Sequence, residues 1–189
     1  MIKSTGRIIL WTLIFFSAGY FIYNNVPPIL GIGNETLDTR RDAEKNWLII
    51  HLSFGIVALV LGAIQFWPAI RNKFPRWHRG SGKVYIICAI LAGVTAFYLL
   101  SNYPLPGSVP PLAILAMLWI STTIFAWLFA RKKNFKLHKQ FMTRSYVCAL
   151  AFVFIRLLDK FDHDSGLLSF IRDDETRATF IDWMGWMLE

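Results

Sequence analysis

The 189-residue sequence carries little charge, because charged residues make up 17% of it and hydrophobic residues 55%. Soluble domains usually contain about 25% charged residues, so this balance excludes an ordinary soluble domain. The sequence also has only two cysteines, Cys88 and Cys148, and both fall in apolar stretches. A thiol in such a stretch usually behaves as a small hydrophobic group, so we assign these two residues no redox role.

The sequence also lacks the short motifs of common catalytic sites. It contains no glycine-rich phosphate loop, no nucleophile elbow and no His-Glu-x-x-His of zinc proteases. No Asp or Glu occurs from residue 45 to residue 158, a stretch that is otherwise rich in long apolar runs. Proton-coupled transporters often use carboxylates inside the membrane, so this absence argues against a secondary transporter.

Five apolar runs are present, and each is close to the roughly 17–25 residues that cross a bilayer as a helix. They occupy residues 8–23, 47–67, 84–100, 111–130 and 141–158. The first follows Lys3 and Arg7 as in a signal peptide, but it lacks a convincing cleavage site, so we predict a retained span. The sequence predicts an all-α integral membrane protein with five transmembrane helices in one domain, residues 1–189. Spans two to five form its four-helix core, residues 47–158.

The C-terminal part of the chain, residues 159–189, is an acidic segment that becomes aromatic near its end. No apolar run in it is long enough to span a membrane. We interpret it as an interfacial helix on the outer face of the membrane. The alternative is that it opens a sixth, truncated span.

The distribution of basic residues predicts how the chain is oriented. Lysine and arginine cluster before the first run, between the second and third, and between the fourth and fifth, and none of these segments contains an acid. All 12 acidic residues lie between the first and second runs or after the fifth. Because basic loops are retained in the cytoplasm, we predict a multi-pass protein with a cytoplasmic N-terminus. The net charge of +8 then indicates partners in the bilayer, its anionic lipid headgroups, rather than nucleic acid.

One face of the second span carries small and polar residues at helical spacing. His51, Gly55, Ala58, Gly62 and Gln65 follow one another at intervals of four or three residues. A stripe of small residues lets a neighbouring helix or a flat ligand approach closely. Two interpretations stay open: tight helix packing with a hydrogen-bonded His51, or a haem or metal site that uses His51 as a ligand.

Two further histidines are flanked by cations on the predicted cytoplasmic side. Arg79 follows His78 and Lys139 follows His138, while Arg144 lies about two turns deeper and either faces the protein or snorkels to the surface. This pair suits a haem b, whose iron takes axial nitrogens and whose propionates need cations. It suits an anionic headgroup or a quinone carbonyl equally, and lipid-facing interfacial histidines are a further alternative.

A ligand shared by His78 and His138 requires the second connection to fold back under the mouth of the fifth span. Pro75 interrupts that connection, and Gly80 and Gly82 are free to adopt positive φ. Such a fold of the connection is therefore sterically reasonable.

Several stretches carry a family resemblance. They read His-Leu-Ser-Phe-Gly at 51–55, Gly-Ala-Ile-Gln-Phe at 62–66, Trp-His-Arg-Gly-Ser-Gly-Lys-Val-Tyr at 77–85, His-Lys-Gln-Phe-Met-Thr-Arg-Ser-Tyr at 138–146 and Arg-Leu at 156–157. In order and spacing the chain resembles the bacterial membrane-protein family called domain of unknown function 2306. It departs from that family where Gly62 and Ala63 replace a usual Gly-Pro, and in a last span that is missing or cut short.

The resemblance implies a helical protein of the bacterial cytoplasmic (inner) membrane. Its histidine-bearing core is similar to that of two-haem b-type transmembrane cytochromes, in which histidines of adjacent helices pair on each side of the membrane. His78 and His138 fit the cytoplasmic pair. On the outer side His51 has only His163, which lies beyond the fifth span, as a partner.

These observations lead to one main functional hypothesis and two alternatives. The main hypothesis is a haem b-binding electron-transfer protein with His78 and His138 as iron ligands. The cations expected near the propionates are Arg79, Lys139 and Arg144. The first alternative is a non-enzymatic membrane subunit or lipid-binding scaffold that has membrane-protein partners. The second is a small-molecule or metal transporter that uses His51 and Gln65.

Overall fold

The computed structural model describes residues 12, 15–16, 18–23, 39–102, 108–166, 168, 171 and 174–187 of the chain. Six helices with defined bounds lie in this part. They are α1 (Thr39–Gln65), α2 (Pro68–Lys73), α3 (Pro75–Asn102), α4 (Val109–Arg131), α5 (Phe135–Ser165) and α6 (Asp174–Met187). Residues 12, 15–16 and 18–23 are also helical, but the other residues of the predicted first span lie outside the described residues.

Four of the helices are long and apolar enough to cross a membrane. The candidate spans are Glu44–Gln65, Pro75–Asn102, Val109–Arg131 and Phe135–Asp159, with mean hydropathies from 1.6 to 2.3. They correspond to the second to fifth apolar runs, so the predicted all-α membrane fold is confirmed. The predicted number of five spans exceeds by one what the described residues contain, because they omit part of the first run.

Prolines and an asparagine fix where the helices begin. α2 begins at Pro68 and α3 at Pro75, and proline is favoured at a first helical position because its missing N–H needs no partner there. Asn134 caps α5, since its side chain accepts a hydrogen bond of 3.2 Å from the backbone N–H of Leu137. The short turn between α4 and α5 places Lys133 at a φ of 57°.

Residues 76–83 are helical, so the connection before the third apolar run does not form the folded-back segment that was considered for a ligand shared by His78 and His138. They form the first turns of α3, and among the described residues positive φ occurs at Lys133 and Gly166, not at Gly80 or Gly82. Helix α3 has 28 residues, a length of about 42 Å, whereas the hydrocarbon core is about 30 Å thick. The excess length lets the first turns of α3 project beyond that core, where the charged groups of arginine and lysine are hydrated.

The four spanning helices form a bundle. α1 packs along α3, α3 along α4 and α4 along α5, while α1 and α5 share a much smaller contact. Small residues at the interfaces let the helices approach closely, which is typical of membrane proteins because packing there depends on van der Waals contact. Buried alanines in the bundle include Ala58, Ala63, Ala89, Ala92, Ala116, Ala126, Ala149 and Ala151.

The outer surface of the bundle carries larger apolar side chains. Examples that are more than one-third exposed are Val57, Val60, Ile87, Val94, Met117 and Phe125. Soluble proteins bury such side chains preferentially, whereas a lipid-facing surface exposes them to hydrocarbon at no cost. The arrangement of alanine inside and bulky residues outside therefore matches a bundle surrounded by lipid.

Helix α6 is docked on the end of the bundle. It packs against α5 and α4, and its Ile181 is 3% exposed. The preceding corner turns at Gly166, which has a φ of 63°. Asp162 holds this corner, because its carboxylate accepts a 2.6 Å hydrogen bond from the backbone N–H of Leu168 and lies 3.6 Å from Nε of Arg177. The C-terminal segment is thus an integral part of the helical assembly.

Candidate functional site

Cations gather at one end of the bundle, which residues 65–83 and 131–139 form and which we call the basic end. All of its lysines and arginines are exposed. They are Arg71, Lys73, Arg76, Arg79, Lys83, Arg131, Lys132, Lys133, Lys136 and Lys139. The sequence contains no acid from residue 45 to residue 158, so no carboxylate occurs in the segments that form the basic end.

The side chain of Gln65 connects α1 to the first turns of α3. It is 7% exposed, and one orientation of its amide gives both of its polar atoms suitable partners. The nitrogen then donates to Nδ1 of His78 at 2.6 Å and to its carbonyl at 3.2 Å, while the oxygen accepts from the backbone N–H of Gly82 at 2.9 Å. With Nδ1 as an acceptor, the neutral His78 ring carries its hydrogen on Nε2.

The ring of His138 is held in the opposite tautomer. Its Nδ1 lies 2.9 Å from the backbone carbonyl of Ala126 in α4. A carbonyl only accepts hydrogen bonds, so Nδ1 carries the hydrogen and Nε2 of the neutral ring carries a lone pair. Histidines that ligate metals commonly have this arrangement, in which one ring nitrogen is oriented by a carbonyl.

His78 and His138 both lie at the basic end, in the first turns of α3 and α5. Helix α3 carries His78 there as a continuous helix from Pro75. The two histidines differ chemically, because Nε2 of His78 is a hydrogen-bond donor and Nε2 of His138 is an acceptor. His78 can therefore bind a group that accepts a hydrogen bond, and His138 can bind a donor or a metal ion.

The three predicted cations near this pair lie on the surface of the bundle. Arg79 is exposed, and its Nε donates to the carbonyl of Pro75 at 3.2 Å. Lys139 is exposed as well. Arg144 is exposed with its guanidinium 5.0 Å from the centre of the Phe141 ring, one turn nearer the basic end. The sequence left open whether Arg144 faces the protein or snorkels to the surface, and its exposed position agrees with snorkelling along the outside of α5.

A chain of buried hydroxyl groups lies about two turns further into the bundle. The hydroxyl of Tyr85 is 2.7 Å from Oγ of Ser145, which is 2.7 Å from Oγ1 of Thr123. Thr123 in turn donates to the carbonyl of Trp119 at 2.7 Å. The three hydroxyl-bearing residues are 0% exposed. The sequence did not reveal this network, because it shows only that each of three apolar runs contains hydroxyl-bearing residues.

His51 belongs to the opposite half of the bundle. Its Nδ1 is 2.9 Å from the carbonyl of Ala92 and 3.2 Å from Oγ1 of Thr95, so it joins α1 to α3. Fourteen residues separate it from Gln65, which is about 21 Å along a helix. The structure therefore places His51 and Gln65 at different levels of the bundle. The side chain of His163, the suggested partner of His51, lies outside the described residues.

Two glycines in the stripe of small residues on α1 have different surroundings. A Cβ atom built on Gly62 would lie 2.6 Å from Cε2 of Tyr146 and 2.9 Å from Cε2 of Tyr85, so glycine is required for the rings to pack there. Ala58 is 0% exposed within the same interface. At Gly55, in contrast, a Cβ atom would have nothing within 4 Å. The packing interpretation thus holds at Gly62, and Gly55 faces open space.

The fold and the basic end together define a polytopic helical membrane protein with a polar, cation-rich end. The family model described as Predicted membrane protein (DUF2306) matches residues 48–189. The chain belongs to that family, as its motifs indicated, and the match extends beyond the four-helix core through α6. Comparison with curated proteins and with solved structures gives no match.

Proposed function

We propose that this protein is a non-enzymatic membrane protein that binds anionic lipid headgroups of the cytoplasmic leaflet at its basic end. The observation that carries the proposal is the set of exposed cations for which residues 45–158 supply no acid. Each lysine or arginine near an anionic membrane surface contributes about 1 kcal/mol of attraction. Lipid phosphates are the nearest anions for side chains at the end of a spanning helix.

Exposed aromatic residues support an interfacial position for the basic end. Trp67, Phe74, Trp77 and Phe135 are each more than half exposed and lie beside its cations. Tryptophan is enriched at the boundary between hydrocarbon and headgroups. Arg131 lies 5.3 Å from the centre of the Trp127 ring, a contact that holds its charge at the same level. The interfacial position of these aromatic residues and the clustering of lysine and arginine beside them together favour a cytoplasmic basic end.

His78 adds a directional contact to this diffuse attraction. Gln65 orients its ring so that Nε2 carries a hydrogen, and an N–H group donates well to a phosphate oxygen. Arg71 is an exposed cation of the same end, so an anion bound there gains a favourable charge interaction as well. A headgroup phosphate at this position would be held by one oriented donor and by the surrounding cations.

The proposal can be tested by native mass spectrometry of the purified protein with phosphatidylglycerol or phosphatidylcholine. The wild-type protein should retain phosphatidylglycerol preferentially. The triple variant Arg76→Gln, Arg79→Gln, Lys83→Gln should show a weaker preference, by roughly 3 kcal/mol if each cation contributes about 1 kcal/mol. Lys45→Gln is the matched control, because it removes a cation about 30 Å along α1 from Gln65 and should keep the preference. Equal retention of both lipids by the wild-type protein would refute the proposal.

Haem b binding is a second candidate function, which the tautomer of His138 favours. Its Nδ1 donates to the Ala126 carbonyl, which leaves Nε2 available for iron. His78 fits less well as a second ligand, because its Nδ1 accepts from Gln65 and its Nε2 carries a hydrogen. An absorption spectrum of the purified protein decides: a Soret band that His138→Ala removes supports haem, and a colourless preparation excludes it.

A further inference from the structure

We infer that the protein has a second site, in the half of the bundle away from the basic end, which takes the end of a lipid acyl chain. The site is a cavity of about 50 Å³ between α1 and α5, with Trp119 of α4 and Phe21 of the first apolar run at its sides. It is separate from the headgroup site and does not depend on it. The chemistry of its lining, its volume and its position each point to this occupant.

The lining of the cavity is almost entirely apolar. Leu59 comes from α1, while Ala149, Phe152 and Val153 come from α5. His51 is the polar residue at its edge, and its Nδ1 is already engaged with the carbonyl of Ala92. Apolar cavities do not hold water well, because a bound water needs two to four polar partners. The occupant that matches this lining is a hydrocarbon.

The space lies where the bundle is least tightly closed. α1 and α5 share a much smaller contact than α1 and α3, and Gly55 of α1 faces this seam with nothing within 4 Å of a built Cβ atom. Gly62, two turns along the same stripe, is instead covered by the rings of Tyr146 and Tyr85. Val57 and Val60 on the neighbouring surface of α1 are exposed. The surroundings that can supply an occupant are therefore lipid chains.

The volume of the cavity selects among apolar ligands. An apolar cavity of roughly 150 Å³ accepts a benzene molecule, and this cavity has about one-third of that volume. A ring system such as a quinone or a porphyrin does not fit. The thin end of an acyl chain fits, and Phe21 would lie against it. Phe21 precedes residues 48–189, which match the family, so this cover comes from outside the family domain.

Photocrosslinking in nanodiscs tests the inference, with a phosphatidylcholine probe that carries a diazirine at the end of one acyl chain. Peptide mapping should find crosslinks at Leu59 and Val153, which are buried. Gly55→Leu adds a Cβ atom that meets nothing within 4 Å, and its side chain should occupy the cavity and reduce these crosslinks about tenfold, a factor that corresponds to 1.4 kcal/mol. Gly80→Leu is the matched control, since Gly80 also has nothing within 4 Å of a Cβ atom but lies at the basic end. It should leave the crosslinks unchanged.

Two further outcomes complete the test. Phe21→Ala removes the cover and should increase the crosslink yield at Leu59, which provides a second variant should Gly55→Leu not fold. Crosslinks confined to exposed residues such as Val57 and Val60, or a yield at Leu59 and Val153 that neither variant changes, would overturn the inference. The absence of any crosslink at Leu59 and Val153 would identify the cavity as empty or hydrated and would overturn it as well.

Discussion

Replacing Gly62 by alanine tests how the two tyrosine rings are packed against α1. The new Cβ atom would lie 2.6 Å from Cε2 of Tyr146 and 2.9 Å from Cε2 of Tyr85. Tyr85 cannot easily move, because its hydroxyl is bonded to Ser145 inside the bundle. Overpacking of this kind costs about 1–3 kcal/mol, and the higher helix propensity of alanine returns roughly 0.5–1 kcal/mol. We expect Gly62→Ala to be destabilised by up to about 2 kcal/mol.

Gly55→Ala is the matched control in the same helix. Its Cβ atom meets nothing within 4 Å, so only the propensity gain of roughly 0.5–1 kcal/mol remains. Melting temperatures measured by tryptophan fluorescence in one detergent should therefore fall for Gly62→Ala and rise slightly for Gly55→Ala. For a chain of this size each kcal/mol corresponds to about 2–4 °C. Equal melting temperatures for the two variants would refute the close packing at Gly62.

Three further predictions concern other parts of the chain. Ser145→Ala should destabilise the protein by about 1–3 kcal/mol, because it removes the partner of the buried Tyr85 hydroxyl. The control Ser53→Ala, at an exposed serine, should change stability by less than about 0.5 kcal/mol. Equal effects of the two substitutions would contradict a stabilising network. A reporter fused after Lys133 should be active in the cytoplasm, and activity outside would reverse the proposed orientation. Asp162→Ala removes the acceptor of the Leu168 N–H and should speed proteolysis between α5 and α6; an unchanged rate would show that this carboxylate does not hold the corner.

The sequence predicted the four described spans well. Run length and hydropathy identify a span without reference to any partner, so these spans agree with the second to fifth runs. The basic end was also predictable, because its cations lie in short segments between those runs. The helical structure of residues 76–83 was not predicted, because the apolar run begins only at Val84. A helix that begins at Pro75 continues through these polar residues.

The pairing of polar groups inside the bundle could not be predicted from the sequence. Whether Thr123 meets Ser145 depends on the rotation of α4 and α5 about their axes, which is set by the packing of many small residues together. The same applies to Gln65, which was assigned to the stripe on α1 but whose bond to His78 depends on how far α3 extends. The different surroundings of Gly55 and Gly62 depend on which neighbouring helix lies opposite each residue.

The most direct test of the proposed function is an experimental structure of the protein in nanodiscs that contain phosphatidylglycerol. The account predicts headgroup density at the basic end, with a phosphate oxygen about 2.7–2.9 Å from Nε2 of His78, the distance of a charge-assisted hydrogen bond. A macrocycle with its metal roughly 2 Å from Nε2 of His138 would contradict the account and favour haem binding. A basic end without any ligand density would contradict it as well.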